Sequence, residues 1–353
     1  MIKPWSDKLR NVDPYIPGEQ SKNKNIIKLN ANENPYPPSP AVLEALRNIA
    51  PKSLSMYPDS SAEPLVSALA EYYGVERNQI FAGNGSDDVL ALSFMSFFNS
   101  DKPILFPDIT YSFYPVWCRL FNIPYETPEI SDNFRIDPSD YYKPNGGVII
   151  PNPNAPTGIS EGREFIRDIL EHNRDSIVII DEAYVDFGGS SSVELINEYD
   201  NLLIVQTFSK SRSLAGMRIG AAIGNSELIS VLNSVKNCYN SYTMDSAAIA
   251  CGTASVKDDR YFRDILNRII STRERSSEEF KKLGFTVYPS HSNFIFVTKP
   301  DINARDLFEA LKRDNIFIRY FNLPRIDNHL RITIGTDEQM DILIEHVKNY
   351  LNA

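Results

Sequence analysis

Between residues 80 and 224 the chain carries five short apolar runs: Pro103-Ile-Leu-Phe106, Val148-Ile-Ile150, Ile177-Val-Ile-Ile180, Leu202-Leu-Ile-Val205 and Ile219-Gly-Ala-Ala-Ile223. None of them alternates with polar residues. A strand with one wet face alternates apolar and polar positions, whereas a strand apolar throughout is buried on both faces. The arrangement that buries both faces is a mostly parallel sheet covered by helices, and helix-length segments such as Glu161–Glu171 lie between the runs. The expected fold class is therefore α/β, with a large doubly wound, mostly parallel sheet. In such sheets ligands sit at the carboxyl ends of the strands.

The rest of the chain surrounds this block. Residues 1–37, rich in Pro, Asn and Lys, read as an extended arm packing with a smaller domain. Ser39-Pro40 opens a helix with Val42, Leu43, Leu46 and Ile49 on one face, and a second helix follows Ser60-Ser61 with Leu65, Val66, Leu69 and Tyr72. Residues 38–245 form the large domain. Residues 246–353 form a smaller α+β domain, with strand-like Asn293–Val297, Ile316–Arg319 and Leu330–Ile334 alternating with helices Ala304–Arg313 and Glu338–Leu351.

Charge narrows the partners. With 36 Lys plus Arg against 46 Asp plus Glu, the net charge of -10 repels nucleic acid and anionic membranes. Small anions remain admissible where a few cations or backbone N–H groups gather locally. The three cysteines and four histidines are scattered without metal-ligand spacing, so no metal site and no disulfide framework is expected. The start MIKPWSDKLR has no apolar signal region, and no run of 18 apolar residues occurs, so the expected location is the cytoplasm.

Three segments at strand ends carry chemistry. Ala82-Gly-Asn-Gly-Ser-Asp-Asp88 is a glycine-rich turn entering an apolar helix, a suitable start for anion binding, without P-loop or dinucleotide spacing. Asp181-Glu-Ala-Tyr184 puts an acid at the end of a buried strand, where a carboxylate needs a cationic or hydrogen-bonding partner. Thr207-Phe-Ser-Lys210, with Arg218 eight residues on, puts an amine among hydroxyls at another strand end. Held out of bulk water, such an amine becomes a usable nucleophile. An amine, a buried acid, a phosphate-grade helix start and an arginine together suit a Schiff-base cofactor with a phosphate.

At these residues the chain resembles the fold-type I pyridoxal-phosphate-dependent aminotransferases. The likeness also rests on Lys28-Leu-Asn-Ala-Asn-Glu-Asn-Pro35, Tyr57-Pro-Asp, Pro107-Asp-Ile-Thr-Tyr111, Pro151-Asn-Pro-Asn154-Ala-Pro-Thr-Gly158 and Leu330-Arg331-Ile-Thr-Ile-Gly335. It departs from the family's Asn-Pro-Asn-Asn-Pro-Thr-Gly only at Ala155. The resemblance implies pyridoxal 5′-phosphate as cofactor, with Lys210 as its Schiff-base lysine and proton shuttle. It implies Asp181 on the ring nitrogen, Asn154 and Tyr184 on O3′, and Tyr111 against the ring face. The phosphate falls to Ser86, Asp87, Thr207, Ser209 and Arg218, and to Tyr57 across a homodimer interface. Tyr15, Asn154, Arg319 and Arg331 are the implied substrate residues.

The implied reaction is ping-pong amino transfer between histidinol phosphate and 2-oxoglutarate, giving imidazole acetol phosphate and glutamate in histidine biosynthesis. A threonine-phosphate decarboxylase and an aromatic amino-acid aminotransferase share every cofactor motif and stay open. A cofactor-sensing transcription factor would carry a basic DNA-binding module, for which residues 1–37 are too short. His291 and His329 are expected to be structural or surface residues, and Arg325 a surface loop residue.

Overall fold

The computed structural model describes residue 3, residues 5–16, residue 19 and residues 25–352. The apolar runs become strands of one seven-stranded sheet. Its order is Ile80–Gly83, Gly220–Gly224, Leu202–Thr207, Val178–Asp181, Gly147–Pro151, Ile104–Leu105, Tyr125–Glu126. From Leu202–Thr207 to Tyr125–Glu126 all neighbours are parallel, and Gly220–Gly224 is antiparallel to both of its neighbours.

Period two sends alternate residues to opposite layers. Ile150, Ile180 and Ile204 enter a cluster with Leu65, Ile166 and Ile219, whereas Ile149, Ile179 and Leu203 enter another with Phe94, Trp117 and Leu232. Full burial of each such side chain contributes roughly 1.5–3 kcal/mol of transfer free energy. The central strands therefore hold their carboxyl ends rigidly, and the site is built on those ends.

The smaller domain is a four-stranded antiparallel sheet in the order Arg319–Tyr320, His329–Thr333, Phe294–Thr298, Thr286–Val287. Helices Asp259–Lys282, Ala304–Arg313 and Asp337–Asn352 supply Ile269, Leu307 and Leu343 to its core beside Ile295 and Ile332.

Three features differ from the sequence-based expectation. Helix Ser246–Lys257, placed by sequence beyond a boundary at 245, packs against helices Pro40–Arg47 and Glu63–Tyr73. Its Ala248, Ile249, Cys251 and Val256 join the large-domain core. Gly252 permits this approach, since a Cβ there would stand 3.1 Å from both Leu65 and Ile219.

The helix capped by Ser39 buries Val42 but leaves Leu43 and Leu46 exposed, so the apolar face read from its spacing is only partly covered within one chain. The arm, finally, serves both domains. Arg10 donates to the Leu120 carbonyl and Tyr15 stacks on Phe113 of the large domain, while Ile27–Lys28 pairs in parallel with Ile316–Phe317 of the smaller one. Among the described residues no helix is long and apolar enough to cross a membrane.

Candidate active site

The strand ends and the smaller sheet enclose a cavity of about 380 Å³. At its floor Asp181 ends a fully buried strand. One carboxylate oxygen accepts from the Tyr114 hydroxyl at 2.8 Å and the other from the Ala183 N–H at 3.1 Å. Burial is the larger effect and pushes the carboxyl up to about 6, while the two hydrogen bonds pull the other way. The acid is thus poised to ionise fully when a cation meets it. Tyr184 follows three residues on, and its hydroxyl accepts from Asn32 Nδ2 at 2.8 Å.

A second corner is built to hold an anion. Ser86 begins helix Ser86–Phe97 directly after Gly85, whose φ of +92° is left-handed backbone. A Cβ on Gly85 would come within 2.6 Å of the Arg218 guanidinium, and one on Gly220 within 2.4 Å of the Ser86 nitrogen. Both glycines therefore let an arginine and a strand lie against the helix start, where free N–H groups and the helix dipole favour negative charge. Thr207 and Ser209 line the same corner. Arg218 contacts Ser209 Oγ at 3.4 Å and Asp87 at 3.2 Å, and Asp87 also accepts from the Tyr111 hydroxyl at 2.9 Å. Burial, chiefly, and the neighbouring Asp87 hold the Tyr111 phenol far above its ordinary range, so it remains a neutral donor.

Between floor and corner, Lys210 Nζ donates to the Ala31 carbonyl at 3.1 Å and has no carboxylate partner among the described residues. The segment around it is held by Asn34 Nδ2, which donates to the carbonyls of Lys210 and Ser211 at 3.0 and 3.2 Å. Asn32 in turn is fixed by Thr333 and Asn293 of the smaller domain. Residues 30–34 thus run between the domains and past the amine.

The opposite wall carries two guanidinium groups. Arg331 is half-buried, with its Nε shielded from solvent; its Nη2 donates to the Asn30 carbonyl at 3.1 Å, and that Nε has no partner among the described residues. Burial, the main cause, and the neighbouring Arg319 push its pKa below the ordinary arginine value. Phe321 stands between them, 5.6 Å from each guanidinium. Neither arginine has an acidic partner among the described residues. A shielded guanidinium N–H without a partner is costly, and an arriving anion would satisfy it.

Of the residues singled out by sequence, Tyr15, Ser86, Asp87, Tyr111, Asp181, Tyr184, Thr207, Ser209, Lys210, Arg218, Arg319 and Arg331 all line this cavity. Two do not. Asn154 lies just behind the wall, its amide donating to the Ile109 carbonyl and accepting from Thr110. Tyr57 is 81% exposed and stacks on Tyr242 at 4.5 Å, away from the cavity of its own chain. His291 and His329 also lie outside it, and His329 stacks on Phe296, with burial lowering its pKa to about 4.

Residues absent from the sequence-based set include Tyr114, Asn32, Thr110 and Phe321. The asparagine-rich Asn30-Ala-Asn-Glu-Asn34 was a visible signal for Asn32. Nothing local marks Tyr114 as the partner of a carboxylate 67 positions away.

An amine free of ion pairing, a buried acid and an anion corner, spaced around one cavity, fit a planar aldehyde that bears a basic ring nitrogen and a phosphate. Comparisons with known proteins agree. Residues 24–347 match the family described as aminotransferase class I and II, and the chain belongs to it. A histidinol-phosphate aminotransferase of Clostridium beijerinckii is 52% identical over 352 residues, covering 100% of this chain and 98% of that protein. One from Clostridium acetobutylicum is 51% identical, covering 99% of each. Among solved structures, a histidinol-phosphate aminotransferase from Clostridium acetobutylicum superposes with a TM-score of 0.85 at 25% identity, covering 93% of this chain and 99% of that one. One from Sinorhizobium meliloti in complex with pyridoxal-5′-phosphate gives 0.83 at 24% identity, covering 92% and 91%. The fold is that of the fold-type I aminotransferases.

Proposed function

We propose that the chain is a pyridoxal-5′-phosphate-dependent aminotransferase that moves the amino group between histidinol phosphate and 2-oxoglutarate, in the cytoplasm and as a homodimer. When bound, the cofactor supplies an aldehyde that condenses with amines and a protonated ring that withdraws electrons from the substrate Cα. Lys210 would hold the cofactor through its amine, and its Nζ would carry the proton to and from the substrate Cα. Asp181, ionised, holds the ring nitrogen in its protonated form. Tyr184 would serve the ring hydroxyl. The backbone N–H groups of Ser86 and Asp87, the hydroxyls of Thr207 and Ser209, and Arg218 would hold the phosphate. Tyr111 covers the ring.

The observation that carries the substrate reading is the pair Arg319 and Arg331, both half-buried on the cavity wall, with no acidic partner for either among the described residues. A guanidinium fork accepts a phosphate or a carboxylate in two-point fashion. The same pair, assisted by Tyr15, therefore serves the phosphate of histidinol phosphate in one half-reaction and a carboxylate of glutamate in the other. Sharing one anion site between alternating substrates is compatible with a ping-pong reaction, in which the first product leaves before the second substrate binds.

The exposed Leu43, Leu46, Leu54, Met56 and Tyr57 support a second copy on that face, with Tyr57 reaching the partner's cofactor phosphate. Sedimentation at micromolar concentration is expected to give a dimer, and Tyr57→Phe to weaken cofactor retention.

Half-reaction titrations test the activity. Histidinol phosphate is expected to remove the visible absorption of the loaded protein and 2-oxoglutarate to restore it. Carbon dioxide release from threonine phosphate, or conversion by aromatic amino acids alone, would overturn the assignment.

A further inference from the structure

Sequence alone makes Arg325 a surface loop residue, but the structure ties it down from four sides. Its Nη1 pairs with Asp108 Oδ2 at 2.8 Å and lies 3.3 Å from Glu129. Its Nη2 donates to the carbonyls of Ile130 and Ser131. Its backbone is left-handed, with φ +68°, a conformation that a non-glycine residue keeps only where its surroundings impose it. The neighbouring Ile326 is buried in the same apolar cluster as Ile130.

The two ends of this contact belong to different walls of the cavity. Arg325 lies on the turn between Phe321 and the strand His329–Thr333, and that stretch begins and ends on Arg319 and Arg331. Asp108 stands two residues before Thr110 and Tyr111, which face the cavity from the large domain. Asp108 is itself fixed, its second oxygen accepting from the Ile130 N–H at 2.9 Å. One guanidinium therefore links the anion-binding wall to the ring-covering wall across some 200 residues of chain.

We propose that Arg325, with Asp108, is a positioning residue that sets the spacing between the substrate anion site and the cofactor wall. The inference rests on the aminotransferase reading for what that spacing serves. The contact itself does not depend on it. A half-buried fork that meets a carboxylate and two carbonyls is geometrically demanding, so small changes in it are transmitted to both walls.

The test uses the cofactor-loaded protein and the variants Arg325→Gln, Asp108→Asn and the double substitution. Amide exchange is expected to quicken in residues 128–131 and 321–328 in each single variant. KM for histidinol phosphate should rise about tenfold with kcat changed much less, as loss of one charge-assisted contact predicts. The double variant should be no worse than the more damaged single, and Arg325→Lys should restore only part of the effect. The proposal is overturned if the single effects add in full. It is overturned equally if exchange and KM stay unchanged, or if only thermal stability falls. If the unaltered protein performs no transamination, the proposed function fails, and exchange together with the double-variant comparison still decides whether the clasp exists.

Discussion

On the large-domain side of the cavity the charged groups come with partners. Asp181 has Tyr114 and the Ala183 N–H, and Arg218 has Asp87 and Ser209. On the smaller-domain side, among the described residues, Arg331 has one carbonyl and an unpaired Nε, and Arg319 has no acidic partner. The first wall is finished in that its charges are paired within the protein, whereas the second leaves its guanidinium groups without an acidic partner among the described residues. A resident cofactor suits the first arrangement. Alternating substrates suit the second, because a permanent internal acid would compete with each of them.

The sharpest way to break this contrast is at the amine between the walls. Lys210→Ala is expected to reduce transamination by about 10⁴-fold or more, since it removes both the covalent tether and the proton carrier. Steady-state rates and the visible spectrum check this together. Normal turnover by that variant would sink the mechanism.

Arg331→Met should separate function from stability. Without the guanidinium, kcat/KM for histidinol phosphate is expected to fall about 10²- to 10³-fold, as for loss of a charge-assisted two-point contact. Stability of the substrate-free protein should hold or rise slightly, because a shielded guanidinium N–H without a partner is gone. Denaturant unfolding reads this directly. A large loss of stability would mean that the second wall is paired after all.

The finished wall has its own signature with pH. Burial, chiefly, raises Asp181 to about 6 and Glu182 to about 7, although Ser191, Ser192 and Gln206 bond to Glu182. Between about pH 4, where these acids ionise in the unfolded chain, and those higher values, the folded protein keeps protons that the unfolded chain has released. Stability of the cofactor-free protein should therefore fall as pH rises through that window. Glu182→Gln should flatten the fall by on the order of 1–3 kcal/mol. Cofactor binding should weaken as pH drops below about 6, where Asp181 must give up a proton to pair with the ring.

The smallest expected effect is that of Tyr114→Phe. It removes one donor to Asp181 and should lower cofactor affinity about tenfold while leaving the fold intact. Equilibrium titration of the cofactor-free variant measures it.

Continuous apolar runs made the large sheet legible, because only burial on both faces tolerates them. Lys210, Asp181 and Ser86 were legible for the same reason, being next in line after such strands. The fate of Leu43 and Leu46 was not, since helical spacing shows which residues share a face and not what lies opposite. Arg325 was misjudged on similar grounds. A loop arginine looks solvated until a distant carboxylate and two carbonyls are brought around it.

By itself, then, the sequence determined the layered α/β fold, the strand ends that line the cavity and the net negative charge, because these follow from local periodicity and composition. Only the tertiary structure decided that Tyr114 serves Asp181, that helix Ser246–Lys257 joins the large domain, and that Arg331 stands without an acid while Arg325 does not. Those facts depend on contacts between segments far apart in the chain. Burial and hydrogen bonding fix such contacts, and no local pattern encodes them.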